Sequence, residues 1–330
     1  MTSPVVSIVI PTAQRSALLR RAIQSIIDQT YPNWELIVVE NGPNQRSGEM
    51  IRAWQRTEPR IRYLSLAVTG PSRARNAGIR LARGAYVAFL DDDDEWLPTK
   101  LERELAVLDK DPQVDLVSCR CFLVNDQGDL IGQQPRYPGL VTFESLLADG
   151  NRLWSLSGVV VRRACFDRVG LFDTRYWIAD DYHFYLRVAL DGRILSLDDA
   201  LFYYRWHAGG LSRKPELVAD EVGAMLGRLR VSLVSRRARR SVEQALARHG
   251  RECYGIASGA LSGGEYGLAL RHLIVAVRCD PLVGLHVDWG RYQSRLYRLI
   301  RPYAAIVYSG CRLLPPSRRI AEPHVSKVDR

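Results

Sequence analysis

The sequence predicts an α/β protein built on a doubly wound, parallel sheet, with a helical region at its C-terminal end. Short apolar runs rich in Val, Ile and Leu alternate with helix-like segments through the first 212 residues. Such runs are typical of parallel strands that are buried on both faces. Beyond Ser212 the pattern becomes helical throughout. We therefore predict two domains, residues 1–212 and 213–330, with the sheet in the first.

The first predicted strand is Val5–Ile10, a β-branched run that Pro11 closes. Ser16 is the expected N-cap of a helix whose apolar stripe stops before Pro32. The elements that follow are a strand at Leu36–Val39, a helix at Glu49–Gln55, a strand at Ile61–Leu64, a helix at Asn76–Ala82 and a strand at Tyr86–Leu90. This alternation predicts parallel strands joined by crossover helices.

The sheet is expected to continue after Pro98 with strands of mixed direction. The predicted elements are a helix at Lys100–Leu108, strands at Val114–Val124 and Ser157–Val161, a helix from Asp181 to Leu190, and strands at Ile194–Leu197 and Leu201–Tyr204. The helical region that follows includes the arginine-rich run Arg236–Arg240.

The composition is that of a globular protein, with 47% hydrophobic and 25% charged residues. No apolar run approaches the roughly 18–20 residues that a membrane-spanning helix needs. The N-terminus lacks the basic segment of a signal peptide, and the six cysteines are scattered without a framework spacing. These features predict a cytoplasmic protein with reduced thiols.

The net charge of +10 belongs to the C-terminal region, because residues 211–330 hold 21 Lys and Arg against 10 Asp and Glu. A basic tail suits an anionic lipid surface or nucleic acid, and solvated helix faces are the alternative. No nucleic-acid-binding motif accompanies the charge, so nucleic acid is not an expected partner. Peripheral contact with the inner membrane face remains as one interpretation of the tail.

The residues directly after Ile10, Val39 and Leu90 are expected to carry the chemistry, because ligands of open α/β sheets bind at the carboxyl ends of strands. The strongest signal there is the acidic run Asp91–Glu95. Two unit charges about 4 Å apart repel by about 1–4 kcal/mol. A bound Mg²⁺ or Mn²⁺ removes that cost and prefers oxygen ligands. A solvated loop that caps the next helix is the alternative.

Each of three further groups of residues has a candidate functional role and an ordinary structural role as its alternative. Asp180 and Asp181 open a predicted helix, where one of them is either an N-cap or a general base. His207 is either a ligand or a packing residue. Arg73 and Arg75 precede Asn76 in a predicted loop, where they either pair with a diphosphate or lie on the surface.

Several separated motifs resemble family 2 inverting glycosyltransferases of the GT-A fold. They are VSIVIPT ending at Thr12, ELIVVENG (Glu35–Gly42), ARNAGIRLARGAYVAFLDDDDEW (Ala74–Trp96), the pair Asp180-Asp181, and YRWH (Tyr204–His207). The resemblance covers about residues 5–212 and implies a Rossmann-like mixed sheet flanked by helices, with a C-terminal helical appendage. It also implies metal-dependent transfer of a sugar from a nucleotide diphosphate donor to a hydroxyl of a glycan or lipid-linked acceptor, in cell-surface glycan synthesis.

The resemblance assigns a role to each matching position. Asp181 falls on the general base, Asp93 on the metal ligand, and His207 on a further contact to the metal or diphosphate. The positions that it implies for donor binding are Pro11, Thr12, Glu40, Asn41, Arg73, Asn76, Asp91 and Asp92. The expected cofactor is Mn²⁺ or Mg²⁺.

Two departures from the family pattern affect the nucleotide pocket. Ala13 and Gln14 stand where the family has an aromatic residue and then Asn, and Glu40-Asn41 stands for Asp-Asp. Asn41 can still accept a hydrogen bond from the N3–H of uracil or thymine, so UDP- or dTDP-sugars are favoured. The departures leave a non-catalytic nucleotide-sugar-binding protein open. A nucleotidyltransferase is less favoured, because it needs a Gly-rich loop after the first strand.

The C-terminal region carries two weaker patterns. Tyr254–Pro281 resembles one tetratricopeptide-like helical pair with a turn at Gly263-Gly264. One such unit cannot form a solenoid, and we expect it to pack as a cap on the catalytic domain. Tyr297–Leu314 mixes Arg with apolar residues and is expected either to lie on a membrane surface or to pack as a buried helix.

Overall fold

The structure is a computed structural model that describes residues 4–13, 16–42, 47–207 and 214–280. The chain divides into two compact units, with the division between Ala245 and Leu246. The predicted functional division after residue 212 stays a prediction. No helix in the described ranges is both long enough and apolar enough to span a bilayer.

Ten strands of the described chain form one mixed sheet in the first unit. They are β1 (Val6–Thr12), β2 (Trp34–Asn41), β3 (Ile61–Leu66), β4 (Tyr86–Phe89), β5 (Glu95–Trp96), β6 (Leu116–Val124), β7 (Leu130–Gln133), β8 (Gly139–Val141), β9 (Val159–Arg162) and β10 (Ile194–Arg205). The order is β3-β2-β1-β4-β9-β6-β10-β5, and β7 and β8 pair with β6 and β10.

The four strands β3-β2-β1-β4 are parallel, as predicted. Beyond them β9 runs antiparallel to both β4 and β6, and β6 and β10 are parallel to each other. The expected mixed sheet is therefore confirmed. The two strands predicted between Ile194 and Tyr204 are one strand, whose pairing with β6 shifts register around Ala200.

The described ranges hold ten α-helices. They are α1 (Ser16–Ile27), α2 (Gly48–Thr57), α3 (Pro71–Leu81), α4 (Lys100–Lys110), α5 (Phe143–Asp149), α6 (Cys165–Val169), α7 (Asp180–Asp191), α8 (Pro215–Ser232), α9 (Arg236–Ser262) and α10 (Tyr266–Cys279). The apolar stripe of α1 is fully buried at Leu19, Ile23 and Ile26, because these residues share one helix face.

Helix α3 begins at Pro71, five residues before the predicted start at Asn76. Proline suits the first turn of a helix, and Gly70 ahead of it adopts a φ of 135° that favours glycine. The segment predicted as a loop is therefore helical. Its path close to β1 depends on Gly78, where an added Cβ would lie 2.4 Å from a methyl carbon of Val9.

The described part of the second unit holds the end of α9 and the whole of α10. The turn between these helices contains Gly263 and Gly264, as predicted, with Gly264 at a φ of 80°. The helices pack closely, since a Cβ on Gly250 would lie 3.0 Å from the carbonyl oxygen of Ala276. The predicted role of this pair as a cap stays a prediction. Pro281 and Tyr297–Leu314 lie outside the described residues.

Candidate active site

A cavity of about 330 Å³ lies at the carboxyl ends of β1, β2 and β4, where an open α/β sheet places its ligands. It is lined by Pro11, Thr12, Ala13, Asn41, Pro71, Arg75, Asp91, Asp92, Asp93, Trp154, Ser155, Leu156, Trp177, Ile178, Asp180, Asp181, Tyr204, Arg205, Trp206 and His207. Eight of the predicted site residues are among them: Pro11, Thr12, Asn41, Asp91, Asp92, Asp93, Asp181 and His207.

The acidic loop after β4 is tied to the end of β1 through Asp92. The Thr12 hydroxyl donates to its carboxylate at 2.7 Å, and the Ala13 amide donates to the same oxygen at 3.3 Å. Asp92 is buried, with 6% of its surface exposed. These bonds fix the loop beside the strand end that is predicted to meet the nucleoside.

Asp94 is buried and is not among the residues that line the cavity. Its carboxylate accepts the Ser157 hydroxyl at 2.6 Å and the Arg205 amide at 3.0 Å. Burial raises the pKa of Asp94 well above its usual value, and the charges of Asp93 and Asp91 add to the rise. Within the acidic run, Asp91, Asp92 and Asp93 therefore line the cavity, Asp94 anchors the loop, and Glu95 pairs with Arg21 and Arg205.

Asp93 lies in the loop after β4 and His207 follows β10, and both line the cavity. The carboxylate oxygen and the imidazole Nε2 are 3.0 Å apart, and the backbone carbonyl of Asp93 accepts from the Arg205 guanidinium at 3.2 Å. No group of three or more His, Cys, Asp or Glu side chains in the described ranges is arranged to hold a metal. Asp93 and His207 alone would still suit Mg²⁺ or Mn²⁺ if a phosphate group were bound there. Such ions take their remaining ligands from phosphate oxygens and water.

A single guanidinium joins the two sides of the cavity. Arg75 donates to Asp180 at 2.7 Å and to Asp91 at 2.8 Å, and its side chain is only 9% exposed. Burial alone would lower the pKa of Arg75, but the charges of Asp180 and Asp91 raise it above its usual value. Arg75 therefore stays charged and links the acidic loop to the start of α7.

The two carboxylates at the start of α7 have different surroundings. Asp180 accepts the Ser72 hydroxyl at 2.8 Å in addition to Arg75, and its other oxygen accepts the Asp181 amide at 2.9 Å. Asp181 accepts the Asn151 side-chain amide at 2.9 Å. Burial and the neighbouring charge of Asp180 raise the pKa of Asp181 to about 7. Asp181 is thus a cavity carboxylate whose pKa suits a general base near neutral pH.

Asn41, the last residue of β2, lines the cavity. Its side-chain oxygen is buried and has no hydrogen-bond partner among the described residues. The preceding Glu40 does not line the cavity. It accepts the Ser47 amide at 3.0 Å and the Tyr63 hydroxyl, so it links β2 to the residue before α2 and to β3.

Two further predicted donor-binding residues, Asn76 and Arg73, are also absent from the cavity lining. The Asn76 amide donates to the Phe172 carbonyl at 2.8 Å and accepts the Phe172 amide at 2.9 Å. This pair of bonds joins α3 to the segment before α7. Arg73 is exposed on α3, and its neighbour Arg75 occupies the buried position instead.

Sequence reasoning missed the segment that precedes β9. Trp154, Ser155 and Leu156 line the cavity, and the Ser157 hydroxyl accepts the Asp91 amide at 3.0 Å. Trp154 has a φ of 63°, unusual for a bulky residue. The rule that ligands bind after parallel strands does not reach these residues, because they precede an antiparallel strand that starts at the same edge of the sheet.

The chain was compared with known families and proteins. The family model described as "Glycosyl transferase family 2" matches residues 7–185. The "Uncharacterized glycosyltransferase EpsJ" of Bacillus subtilis is 29% identical over 221 residues, which cover 64% of this chain and 64% of that protein. The "Putative colanic acid biosynthesis glycosyl transferase WcaA" of Escherichia coli is 33% identical, over 57% of this chain and 67% of that protein. The chain thus spans slightly less than two thirds of EpsJ.

Solved structures share the fold at low identity. S. aureus TarS 1–349 in complex with UDP-GlcNAc has a TM-score of 0.65 and 19% identity, over 92% of this chain and 87% of that chain. The mannosyltransferase PcManGT from Pyrobaculum calidifontis, in complex with GDP-Man and Mn²⁺, has a TM-score of 0.57 and 17% identity, over 95% and 81%. These likenesses confirm the expected GT-A type of mixed sheet flanked by helices.

Proposed function

Because the chain belongs to glycosyl transferase family 2, we propose that it is a metal-dependent, inverting glycosyltransferase. It moves a sugar from a UDP- or dTDP-sugar to an acceptor hydroxyl. The observation that carries this proposal is one cavity lined both by Asp181 and by the pair Asp93 and His207. A base for the acceptor and ligands for the diphosphate's counter-ion then serve the same reaction.

Asp181 is the proposed general base. With a pKa raised to about 7, its carboxylate is largely ionised in a weakly alkaline buffer and takes the acceptor's hydroxyl proton as the new bond forms. The acceptor oxygen attacks the anomeric carbon from the face opposite the leaving diphosphate, so the configuration inverts. Asp180 is not proposed to share this role, because its carboxylate is ion-paired with the Arg75 guanidinium at 2.7 Å, and a neighbouring positive charge opposes uptake of a proton. Asp181 accepts from neutral donors, the Asn151 side-chain amide and the Tyr182 amide.

Asp93 and His207 are the proposed ligands of Mn²⁺ or Mg²⁺. When bound, such a cation supplies the positive charge that balances the diphosphate. Arg205 supports the pair by holding the Asp93 carbonyl at 3.2 Å, while its backbone amide anchors Asp94 at 3.0 Å. The Mn²⁺ in the PcManGT complex is consistent with a divalent ion in this fold.

The nucleotide is proposed to bind across the ends of β1 and β2. The buried oxygen of Asn41 is an acceptor for the N3–H of uracil or thymine. Thr12 and Pro11 line the same wall, and Asp91 and Asp92 lie at its acidic end. TarS has been solved with UDP-GlcNAc, which agrees with a uracil nucleotide. Glu40 is not proposed to contact the nucleotide, and its bonds to Ser47 and Tyr63 support the end of β2.

The product is proposed to be a cell-surface glycan. WcaA is named for colanic acid biosynthesis, and TuaG of Bacillus subtilis for teichuronic acid biosynthesis. We place the reaction in the cytoplasm, with the basic tail in peripheral contact with the inner membrane face.

Calorimetric titration with UDP, dTDP and GDP, with and without Mn²⁺, tests the donor site. We expect Mn²⁺-dependent binding of UDP or dTDP, and loss of the Mn²⁺ dependence in Asp93→Asn. Asp28→Asn is the matched control, because Asp28 lies exposed at the end of α1. A folded protein that binds none of the three nucleotides would contradict the donor proposal.

The second arm of the test separates catalysis from binding. Asp181→Asn should bind the nucleotide with unchanged affinity and lose at least about 100-fold in the rate of donor turnover, the size of a typical general-base effect. Normal turnover in this variant would refute the base assignment. Nucleotide binding by the wild-type chain without any turnover of its sugar conjugates would favour a non-catalytic binding protein.

A further inference from the structure

One wall of the cavity is an exposed aromatic side chain close to the proposed base. Trp177 lies four residues before Asp181, lines the cavity, and is 47% exposed. Tryptophan is enriched at binding surfaces, because its ring is large and apolar and carries one polar group. Trp177 lines the same cavity as the proposed base Asp181, which makes it a candidate contact for the acceptor.

The backbone at Trp177 is held by a carboxylate from a distant helix. Glu221 of α8 accepts the amide of Trp177 at 3.0 Å, that of Ile178 at 2.8 Å and that of Ala179 at 3.0 Å. These three amides directly precede α7, whose N-cap residue Ala179 has no side chain able to cap. Glu221 therefore provides from α8 the negative charge and the acceptors that a helix N-terminus requires.

The same segment is fixed from its other side. The Ser72 hydroxyl of α3 lies 2.9 Å from the Tyr176 carbonyl oxygen and 2.8 Å from an Asp180 carboxylate oxygen, and its one proton is shared between these two acceptors. The guanidinium of Arg228, also on α8, lies 5.7 Å from the centre of the Tyr176 ring. The backbone that carries Trp177 is consequently held by charge-assisted bonds, so the indole is attached at a preorganised position of the cavity wall.

The chemistry of this end of the cavity favours a neutral, hydroxylated ring. Asp180 and Asp181 line the cavity together with Trp177, and the Arg75 guanidinium is already paired with Asp180 and Asp91. An anionic acceptor group would be repelled there. A sugar ring offers an apolar C–H face to an indole and hydroxyls to carboxylates, so it matches both parts of the surface.

We propose that Trp177 stacks against a sugar ring of the acceptor and that Glu221 is the positioning residue that holds Trp177 in place. The inference rests on the proposed function, because it takes Asp181 as the group that meets the acceptor. The acceptor is then a saccharide that is recognised through its ring. Helix α8, in turn, is part of the acceptor site.

The test measures binding of the full chain to an array of immobilised neutral oligosaccharides, with undecaprenyl phosphate on the same surface and UDP and Mn²⁺ in solution. We expect the wild type to bind oligosaccharides that share one terminal sugar. Trp177→Ala should weaken this binding at least about tenfold, which is the scale of one aromatic stacking contact. Trp177→Phe keeps a ring and should stay within about threefold of the wild type.

The role of Glu221 is tested by Glu221→Ala against Asp220→Asn, an exposed carboxylate next to it on α8. With the oligosaccharide that binds the array best as acceptor, Glu221→Ala should raise the acceptor KM at least about fivefold. The donor KM should change much less than the acceptor KM. Asp220→Asn should behave as the wild type in every measurement. A general loss of structure would instead change the donor parameters as well.

Three outcomes would overturn the inference: wild-type binding by Trp177→Ala, an unchanged acceptor KM in Glu221→Ala, or binding of undecaprenyl phosphate with no oligosaccharide bound. Calorimetry with UDP keeps this failure distinct from failure of the proposed function. A wild-type chain that binds UDP and no oligosaccharide refutes the stacking proposal alone. A chain that binds oligosaccharides and no nucleotide refutes the proposed function alone.

Discussion

Replacing Arg75 with methionine measures how strongly the two sides of the cavity depend on one buried charge. The guanidinium bonds Asp180 at 2.7 Å and Asp91 at 2.8 Å, and the Asp180 side chain is only 4% exposed. Methionine keeps an unbranched apolar stem and removes both ion pairs. The Asp180 carboxylate then stays buried with the Ser72 hydroxyl and the Asp181 amide as its donors.

Breaking a buried ion pair by removing one partner costs about 3–5 kcal/mol, a large part of the usual stability of about 5–15 kcal/mol. The cost should depend on pH. Burial already raises the pKa of Asp180, and loss of Arg75 raises it further. Between the pKa of Asp180 in the unfolded chain and its higher pKa in the folded variant, the folded state holds one extra proton. Stability therefore falls by up to about 1.4 kcal/mol for each unit that the pH rises.

The assay is urea denaturation followed by tryptophan fluorescence at pH 6, 7 and 8. Arg103→Met is the matched control, because Arg103 pairs with Asp199 at 2.7 Å but is 57% exposed, and such surface pairs contribute about 1 kcal/mol or less. Arg75→Lys retains the charge without the planar fork and should show a smaller loss and little pH dependence. A cost for Arg75→Met no larger than that for Arg103→Met, or a cost independent of pH, would refute the reasoning.

Three further predictions follow from the described contacts. The kcat/KM for transfer should rise with pH through an apparent pKa of about 7, since Asp181 must be ionised, and a pH–rate profile with its acidic limb near pH 4 would contradict this. Gly78→Ala should lower the free energy of unfolding by about 1–3 kcal/mol, because the new Cβ would lie 2.4 Å from a Val9 methyl. Gly227→Ala in α8, where the new Cβ would meet no atom of the described residues within 4 Å beyond its neighbours and its own helix backbone, should raise it by about 0.5–1 kcal/mol, and urea denaturation measures both.

The parallel half of the sheet could be predicted because its strands are buried on both faces. The runs that end at Ile10, Val39 and Leu90 are almost wholly apolar, and polar groups follow each of them. The rule that ligands bind at the carboxyl ends of such strands then led directly to Thr12, Asn41 and the acidic loop.

Helix α3 shows where local patterns fail. Its first turn is polar and arginine-rich, so the sequence alone favoured a loop. Nothing in the spacing of Arg73, Arg75 and Asn76 reveals which of them turns inward. That choice depends on Asp91 and Asp180, which lie 16 and 105 residues further along the chain. Contacts of this length are set by topology rather than by local periodicity.

The contribution of α8 was unpredictable for a related reason. Glu221 lies more than 40 residues from the amides that it binds, and its helix has no motif. The predicted division after residue 212 assigned α8 to a separate helical region. In the structure α8 lies within the first compact unit, which ends at Ala245.

The antiparallel direction of β9 has a consequence for how this scaffold can vary. Because β9 runs against β4 and β6, the chain reaches the cavity edge before β9 begins, and the connection after β9 starts at the opposite edge. A change in the length of the connection ahead of Val159 would reshape the part of the cavity wall that Trp154 forms. The pairing of β9 with β4 and β6 would be kept. Changes in length just after Arg162 would leave that part of the cavity wall unchanged. The segment before β9 is therefore the place where insertions in relatives, or in a laboratory library, should alter selectivity while the sheet is preserved.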